Sequence, residues 1–117
     1  MIYRIADAAD WHRAQQVGEF ASADLANEGF IHASELHQVL RTAHKYYAGR
    51  AGLMLLEIDE ALLDQPPVRE DLNGSGVLYP HCYLPIPLRA VVRHVDFAEK
   101  PGGGFSLPAE LSAMLSP

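Results

Sequence analysis

The sequence predicts a single α+β domain with a mainly antiparallel or mixed β-sheet and two main helices. Three observations point there. The chain has 117 residues, 49% of them hydrophobic and 21% charged, which suits one globular domain with a real core. Its late strands read as hairpins, because "NGSG" separates "VREDL" from "VLYPHCY" as a turn would. Strands and helices alternate too irregularly for a doubly wound fold.

The elements follow in order. "MIYRIA" reads as a first strand, with Ile2, Tyr3 and Ile5 apolar. Asp7 stands where a helix N-cap belongs, before "AADWHRAQQVG", and Gly18 stands where that helix ends. Trp11 is expected to anchor it. Residues 19–29 read as a loop or one short turn of helix, and "FIHAS" as the second strand. A helix follows from Glu35 to about Tyr47, with Ser34 as its expected N-cap. Leu36, Val39, Leu40, Ala43 and Tyr47 fall on one helical stripe, with His37, Arg41 and His44 mostly opposite. "AGRAG" breaks the chain, and "LMLLEI" is the continuous apolar run of a central strand. "DEALLDQPP" is a turn, and "AVVRHVDF" closes the sheet. "PGGG" is expected to be a mobile loop, and Pro108 to start a short helix, "PAELSAML". The domain therefore spans residues 1–117, with 101–117 as terminal loop and short helix, and holds five or six strands in all.

Composition excludes several classes. The formal net charge is −6, from nine basic and fifteen acidic residues, so broad binding to phosphate backbones is disfavoured. No apolar run approaches the ~20 residues of a membrane helix. "MIYRIAD" lacks the pattern of a signal peptide. The one cysteine, Cys82, cannot form an internal disulfide, so a reducing, cytoplasmic setting is expected.

Strand periodicity groups the candidate chemistry. His32 and Ser34 share a face with Phe30, while Ile31 and Ala33 take the other. Tyr79, His81 and Tyr83 likewise share a face, with Pro80 and Cys82 opposite. Pro80 cannot donate to a ladder, which predicts an edge or irregular strand. Imidazole and phenol groups from two such strands suit a planar or sugar-bearing ligand. In "VREDL", Arg69 is a candidate phosphate holder and Glu70 a candidate base or hydroxyl-orienting group. Arg69 and Asp71 share one face and Glu70 takes the other, so one set at most is expected in a given cleft.

Structural readings compete at each position. A histidine in an apolar strand is more often a core residue bonded to backbone than a catalyst. Ser34 fits an N-cap better than a nucleophile. Tyrosines are ordinary strand formers, and Glu70 fits a solvated hairpin charge. No metal is expected: HExxH and CxxC motifs are absent, and His37 and His44 lie two helical turns apart. His81 and Cys82 are adjacent on a strand and point apart. "PGGGF" does not open a helix as a phosphate loop must.

Taken together, "EGFIHAS", "LHQVLRTAHKYYAG", "GLMLLEIDEALL", "VREDL", "YPHCYLPIPLRAVV" and "GGGFSLP" resemble the DUF952 family, from Tyr3 to Pro108. The resemblance implies a fold similar to that of ADP-ribosyltransferases, in which a split β-sheet clasps NAD. It implies that His32 holds the nicotinamide-side ribose or carboxamide, and that Ser34 is the small polar residue after it. His81 and Tyr83 match the "PHxY" segment, and Glu70 a glutamate in the short strand before it. Leu84 departs, standing where the family usually has glycine, and its side chain is expected to narrow the cleft or shift the turn. The transferase-type catalytic glutamate has no secure match, so ligand binding is the firmer expectation than transfer.

Three functional readings result. The first is an enzyme or former enzyme that binds NAD or an ADP-ribose-like nucleotide. His32, His81 and Glu70 are then the catalytic candidates, and His32, Ser34, Tyr46, Tyr47, Arg69 and Tyr83 the binding ones. The second is a non-catalytic small-molecule or protein-binding module. The third is an RNA-directed phosphotransferase, which the acidic charge disfavours. The expected partner is a small-molecule nucleotide, with neither nucleic acid nor membrane. Whether His32 and His81 meet is left to the fold.

Overall fold

Strand β1 (Ile2–Asp7) leads without a loop into helix α1 (Ala8–Val17). The computed structural model describes residues 1–115; the last two residues of the terminal segment lie outside them. Next come β2 (Glu19–Phe20), α2 (Ala23–Glu28) and β3 (Ile31–His32). A single 3-10 turn, Leu36–Gln38, opens α3 (Val39–Tyr46), and β4 (Leu53–Ile58), β5 (Val68–Glu70) and β6 (Tyr79–Cys82) follow. The chain ends in β7 (Ile86–Pro87), β8 (Val91–Asp96) and α4 (Ala109–Ser112). This is an α+β fold whose strand pairings are all antiparallel among the described residues.

Strand β4 is buried along its whole length, between β1 and β8. Alternation puts Tyr3, Ile5, Leu53 and Leu55 on one face of this sheet and Ile2, Ala6, Met54 and Leu56 on the other. Each face carries its own core. The first packs against Val39 and Ala43 of α3, with Phe97, Phe105 and Leu111. The second packs against Trp11 and Ala14 of α1, with Ile31, Ala33 and Cys82. A fully buried aliphatic side chain of this kind contributes about 1.5–3 kcal/mol. Glu57 is buried with the apolar residues, where the Tyr3 hydroxyl donates to it at 2.7 Å and Arg93 Nε at 3.2 Å.

The second sheet, ordered β3-β6-β5, joins the first at one point. Ser34 and Tyr3 exchange both backbone hydrogen bonds at 2.8 Å. Beyond that bridge the free edge of β1 and the second sheet part company, so the combined sheet is split. Pro80 sits in the central strand β6, against the expectation of an edge. Its carbonyl accepts from Ala33 N–H at 3.0 Å. A residue's N–H and C=O point to the same neighbouring strand in an antiparallel ladder. The N–H that proline lacks is therefore missing only past the end of β3.

Both expected side-chain caps are replaced. Asp7 holds the N-cap position of α1, yet its carboxylate makes no cap bond and pairs with Arg50 at 2.6 Å. Ser34 is spent on the bridge to β1. The cap of the following 3-10 turn is instead Glu35, in a reciprocal capping box with Gln38. Gly18 does end α1, at φ 92, with its N–H on Ala14 O at 2.8 Å. The "PGGG" segment is closed by hydrogen bonds: Lys100 N–H bonds Gly104 O at 2.8 Å, and Phe105 N–H donates to His44 Nε2 at 2.9 Å.

Cys82 faces the core, and burial pushes its thiol up to about 11. Only the thiolate reacts with alkylating agents. Iodoacetamide at about pH 8 is expected to leave the native protein unmodified and to label it fully in urea. Mass spectrometry reads the difference; labelling of the native chain at the unfolded rate would show that Cys82 is accessible.

Candidate functional site

Antiparallel register sets His32 of β3 directly opposite His81 of β6. Their ring centroids lie 5.5 Å apart, edge to face at 76°. Phe30, placed just before β3, supports both rings. It stacks on His81 at 4.1 Å and tilts against His32 at 4.8 Å and Tyr83 at 5.4 Å. Gly29, at φ 92, ends α2 one residue earlier and turns the chain into this strand.

Each imidazole is held by its own carboxylate. His32 Nδ1 is 2.9 Å from Asp24 Oδ2, which also accepts from the His32 backbone N–H at 2.9 Å and from Arg4 Nη1 at 2.7 Å. The Ser22 hydroxyl donates to the other Asp24 oxygen. Burial alone raises the Asp24 carboxyl, but the hydrogen bonds from His32 and the Arg4 charge outweigh it and hold it well below the usual range. His81 Nδ1 is 2.8 Å from Glu70 Oε1, the oxygen to which the Tyr83 hydroxyl also donates. Those bonds, from Tyr83 first and then His81, hold the Glu70 carboxyl low, and the bond to Glu70 raises the Tyr83 phenol. An ionised carboxylate only accepts, so Nδ1 of each ring carries the hydrogen. That leaves Nε2 of His81 for other chemistry, while Nε2 of His32 lies 3.7 Å from Glu28 Oε1.

Both histidines line a cleft of about 910 Å³ at the split between the sheets. Its walls come from the free edge of β1, the outer side of α3 and the turn after β5. Among the described residues, no group of three or more His, Cys, Asp or Glu is placed to hold a metal ion. No helix among them is long and apolar enough to cross a membrane.

The profile of a family described as "Protein of unknown function (DUF952)" matches residues 5–94, which include both histidines and both carboxylates. The chain belongs to the DUF952 family. No curated protein matches it. The crystal structure of protein CC0527 from Caulobacter crescentus is similar, at 34% identity and a TM-score of 0.82, over 95% of this chain and 97% of that one. A double-mutant crystal structure of CC0527 gives 34% and 0.81 over the same shares. Its solution structure gives 35% and 0.69, over 88% and 89%.

Within this DUF952 chain the predicted site residues divide. His32, His81, Glu70, Ser34, Tyr46 and Tyr47 all line the cleft. His32 is half exposed and bonded to a carboxylate, not a core histidine on a backbone carbonyl. Ser34 is buried, with its hydroxyl 3.2 Å from that of Thr42. Tyr47 reaches Ile5 O at 3.4 Å, and Arg50 lies over its ring.

Four expectations are corrected. Arg69 stays out of the cleft, because Glu35 and Glu60 hold its guanidinium at 2.6 and 2.9 Å and leave it no charge to offer a phosphate. Tyr83 stands behind Glu70, outside the lining, so it steadies the carboxylate instead of stacking on a ligand. Leu84 is exposed and also outside the lining, so it does not narrow the cleft. Glu70 and Asp71 line the cleft together, against the expected alternation, because β5 ends at Glu70. Asp71 bends back to accept from Ser75 and Gly76 N–H at 2.9 and 2.7 Å.

Sequence reasoning missed Asp24 and Arg4. Asp24 lies in a stretch read as loop or short turn, and nothing in its spacing ties it to His32. Arg4 occupies an inward position of β1 that alternation alone would have marked as unusual for a cation. Its Nε is the one buried side-chain polar atom without a hydrogen-bond partner among the described residues.

Proposed function

We propose that this DUF952 protein binds a nucleotide of the NAD or ADP-ribose kind, with His32 and His81 at the reacting end. One observation carries the reading: two imidazoles 5.5 Å apart, edge to face, each oriented by a carboxylate and in contact with Phe30, at a cleft of about 910 Å³. That volume lies in the upper part of the ~300–1,000 Å³ range of small-molecule pockets. Imidazole and aromatic faces suit a flat ring, and the polar tips suit ribose hydroxyls or a carboxamide. The likeness to ADP-ribosyltransferases rests on the sequence resemblance, and the split sheet with its cleft at the split supports it. More carboxylates than cations line the cleft, which favours a small nucleotide over a nucleic acid. The single buried Cys82 fits a reducing, cytoplasmic setting.

In this reading His32 grips ribose or carboxamide, and His81 moves a proton at Nε2. Glu70 orients His81 and is not itself the base. In a glycohydrolase step the bond from ribose C1′ to the nicotinamide nitrogen breaks, its electron pair leaving with nicotinamide. Water adds to C1′ as His81 takes its proton. Positive charge develops on the ribose, and the carboxylates of Asp24 and Glu70 stabilise it electrostatically.

Calorimetric titration with NAD and with ADP-ribose tests the binding. Heat is expected from one or both, with affinity lowered about tenfold or more in His32→Ala. No heat from either, or unchanged affinity in His32→Ala, overturns the reading. Nicotinamide release, followed in the same samples, reports whether cleavage follows. The second reading, a protein-binding module, is favoured by the free edge of β5, with Val68, Leu72 and Leu78 exposed around it. It predicts amide shift changes confined to that edge on adding a partner, and no turnover of NAD.

A further inference from the structure

We infer that Arg41 and Lys45 form the anion subsite of the cleft and take the phosphate or pyrophosphate of its ligand. The assignment of the ligand's other end to the two histidines rests on the nucleotide reading above.

Arg41 and Lys45 are four residues apart on α3, so they lie side by side on one flank of the helix. Both line the cleft that His32 and His81 line. The other two cations of the lining are neutralised: Arg4 by Asp24 at 2.7 Å and Arg50 by Asp7 at 2.6 Å. Arg41 and Lys45 have no carboxylate within 4.0 Å among the described residues. Lys45 Nζ lies over the Tyr46 ring, at 5.2 Å.

Like charges at this spacing repel and destabilise a helix. A shared dianion would reverse that repulsion. Thr42, between them in sequence, adds a hydroxyl that also lines the cleft, paired at 3.2 Å with Ser34. The cleft thus carries both polarities. Carboxylate-held imidazoles and two unneutralised cations line the same cleft, in a chain whose net charge is −6. That polarity fits a ligand with a neutral or cationic ring end and an anionic phosphate end. It takes over the role that Arg69 cannot fill.

The test uses the whole chain, inorganic pyrophosphate and ADP as probes, and the double variant Arg41→Gln/Lys45→Gln. Glutamine is a good helix former on an exposed face, so the fold is retained. Pyrophosphate is expected to shift backbone amide resonances of Arg41 to Tyr46. The double variant is expected to weaken both probes about tenfold or more and to flatten the salt dependence. His32→Ala is expected to leave pyrophosphate binding unchanged. Equal affinity of wild type and double variant for both probes overturns the subsite, as do shifts confined to another surface. Pyrophosphate held at Arg41 and Lys45 with no binding of NAD or ADP-ribose keeps the subsite and removes the nucleotide reading. ADP-ribose binding that needs His32 but neither cation does the reverse. Single-stranded RNA bound more tightly than ADP through these two residues overturns the small-ligand assignment.

Discussion

Asp24→Ala is expected to lose folding stability, by up to about 3–5 kcal/mol, the cost of breaking a fully buried ion pair from one side. The Asp24 and Arg4 side chains are only 12% and 11% exposed. Removing the carboxylate takes the counter-charge from the Arg4 guanidinium and leaves it the His32 carbonyl at 3.0 Å, with Nε already lacking a partner. It also frees the Ser22 hydroxyl and the ring and backbone N–H of His32. Urea unfolding at neutral pH reads the loss. Asp24→Asn keeps an acceptor and should lose less.

The pH dependence has a definite sign. The Asp24 carboxyl is held below its ordinary value in the folded chain, so its stabilisation is present above the unfolded range. It is lost as the pH falls below about 4. Wild type should therefore lose more stability than Asp24→Asn between about pH 7 and pH 3. Parallel curves for the two proteins would mean that Asp24 does not carry this acid sensitivity.

Glu70 gives the second large effect, on function more than on folding. Glu70→Gln keeps an acceptor near His81 Nδ1 but removes the charge that orients the ring and lines the cleft. Nicotinamide release, or nucleotide affinity if there is no turnover, is expected to fall about 10- to 100-fold. Glu70→Ala should lower activity at least as far. It should also destabilise the chain, because His81 is only 5% exposed and its Nδ1 would lose its partner. Nitrogen NMR of the His81 ring adds a readout that packing alone would not move: the ring tautomer should become mixed in Glu70→Ala. A ring signal and an affinity both unchanged in that variant would remove Glu70 from the site.

The features that depend on one segment were legible. "LMLLEI" is continuously apolar, and β4 is buried on both faces. The stripe through Val39 and Ala43 is the buried side of α3. Gly18 ends α1 because a left-handed position favours glycine over any side chain. The facing of His32 away from Ile31 and Ala33 follows from a period of two, and so does that of His81 away from Cys82. The caps were misread because Asp7 and Ser34 had competitors that local pattern does not show. Arg50 is distant in sequence, and the backbone of Ser34 is taken by Tyr3.

By itself the sequence determined which residues alternate, which stripe turns inward, and that one short α+β domain with two histidine-bearing strands was to be expected. Alternation and helical period are properties of neighbouring residues, so they need no tertiary contact. Only the tertiary structure decided that His32 and His81 face each other at 5.5 Å, because that distance depends on the register between strands far apart in the chain. It also decided which charges are available. Arg69 is consumed by Glu35 and Glu60 while Arg41 and Lys45 are not, and a charge's freedom depends on what lies within a few ångströms in space, which spacing along the chain does not encode.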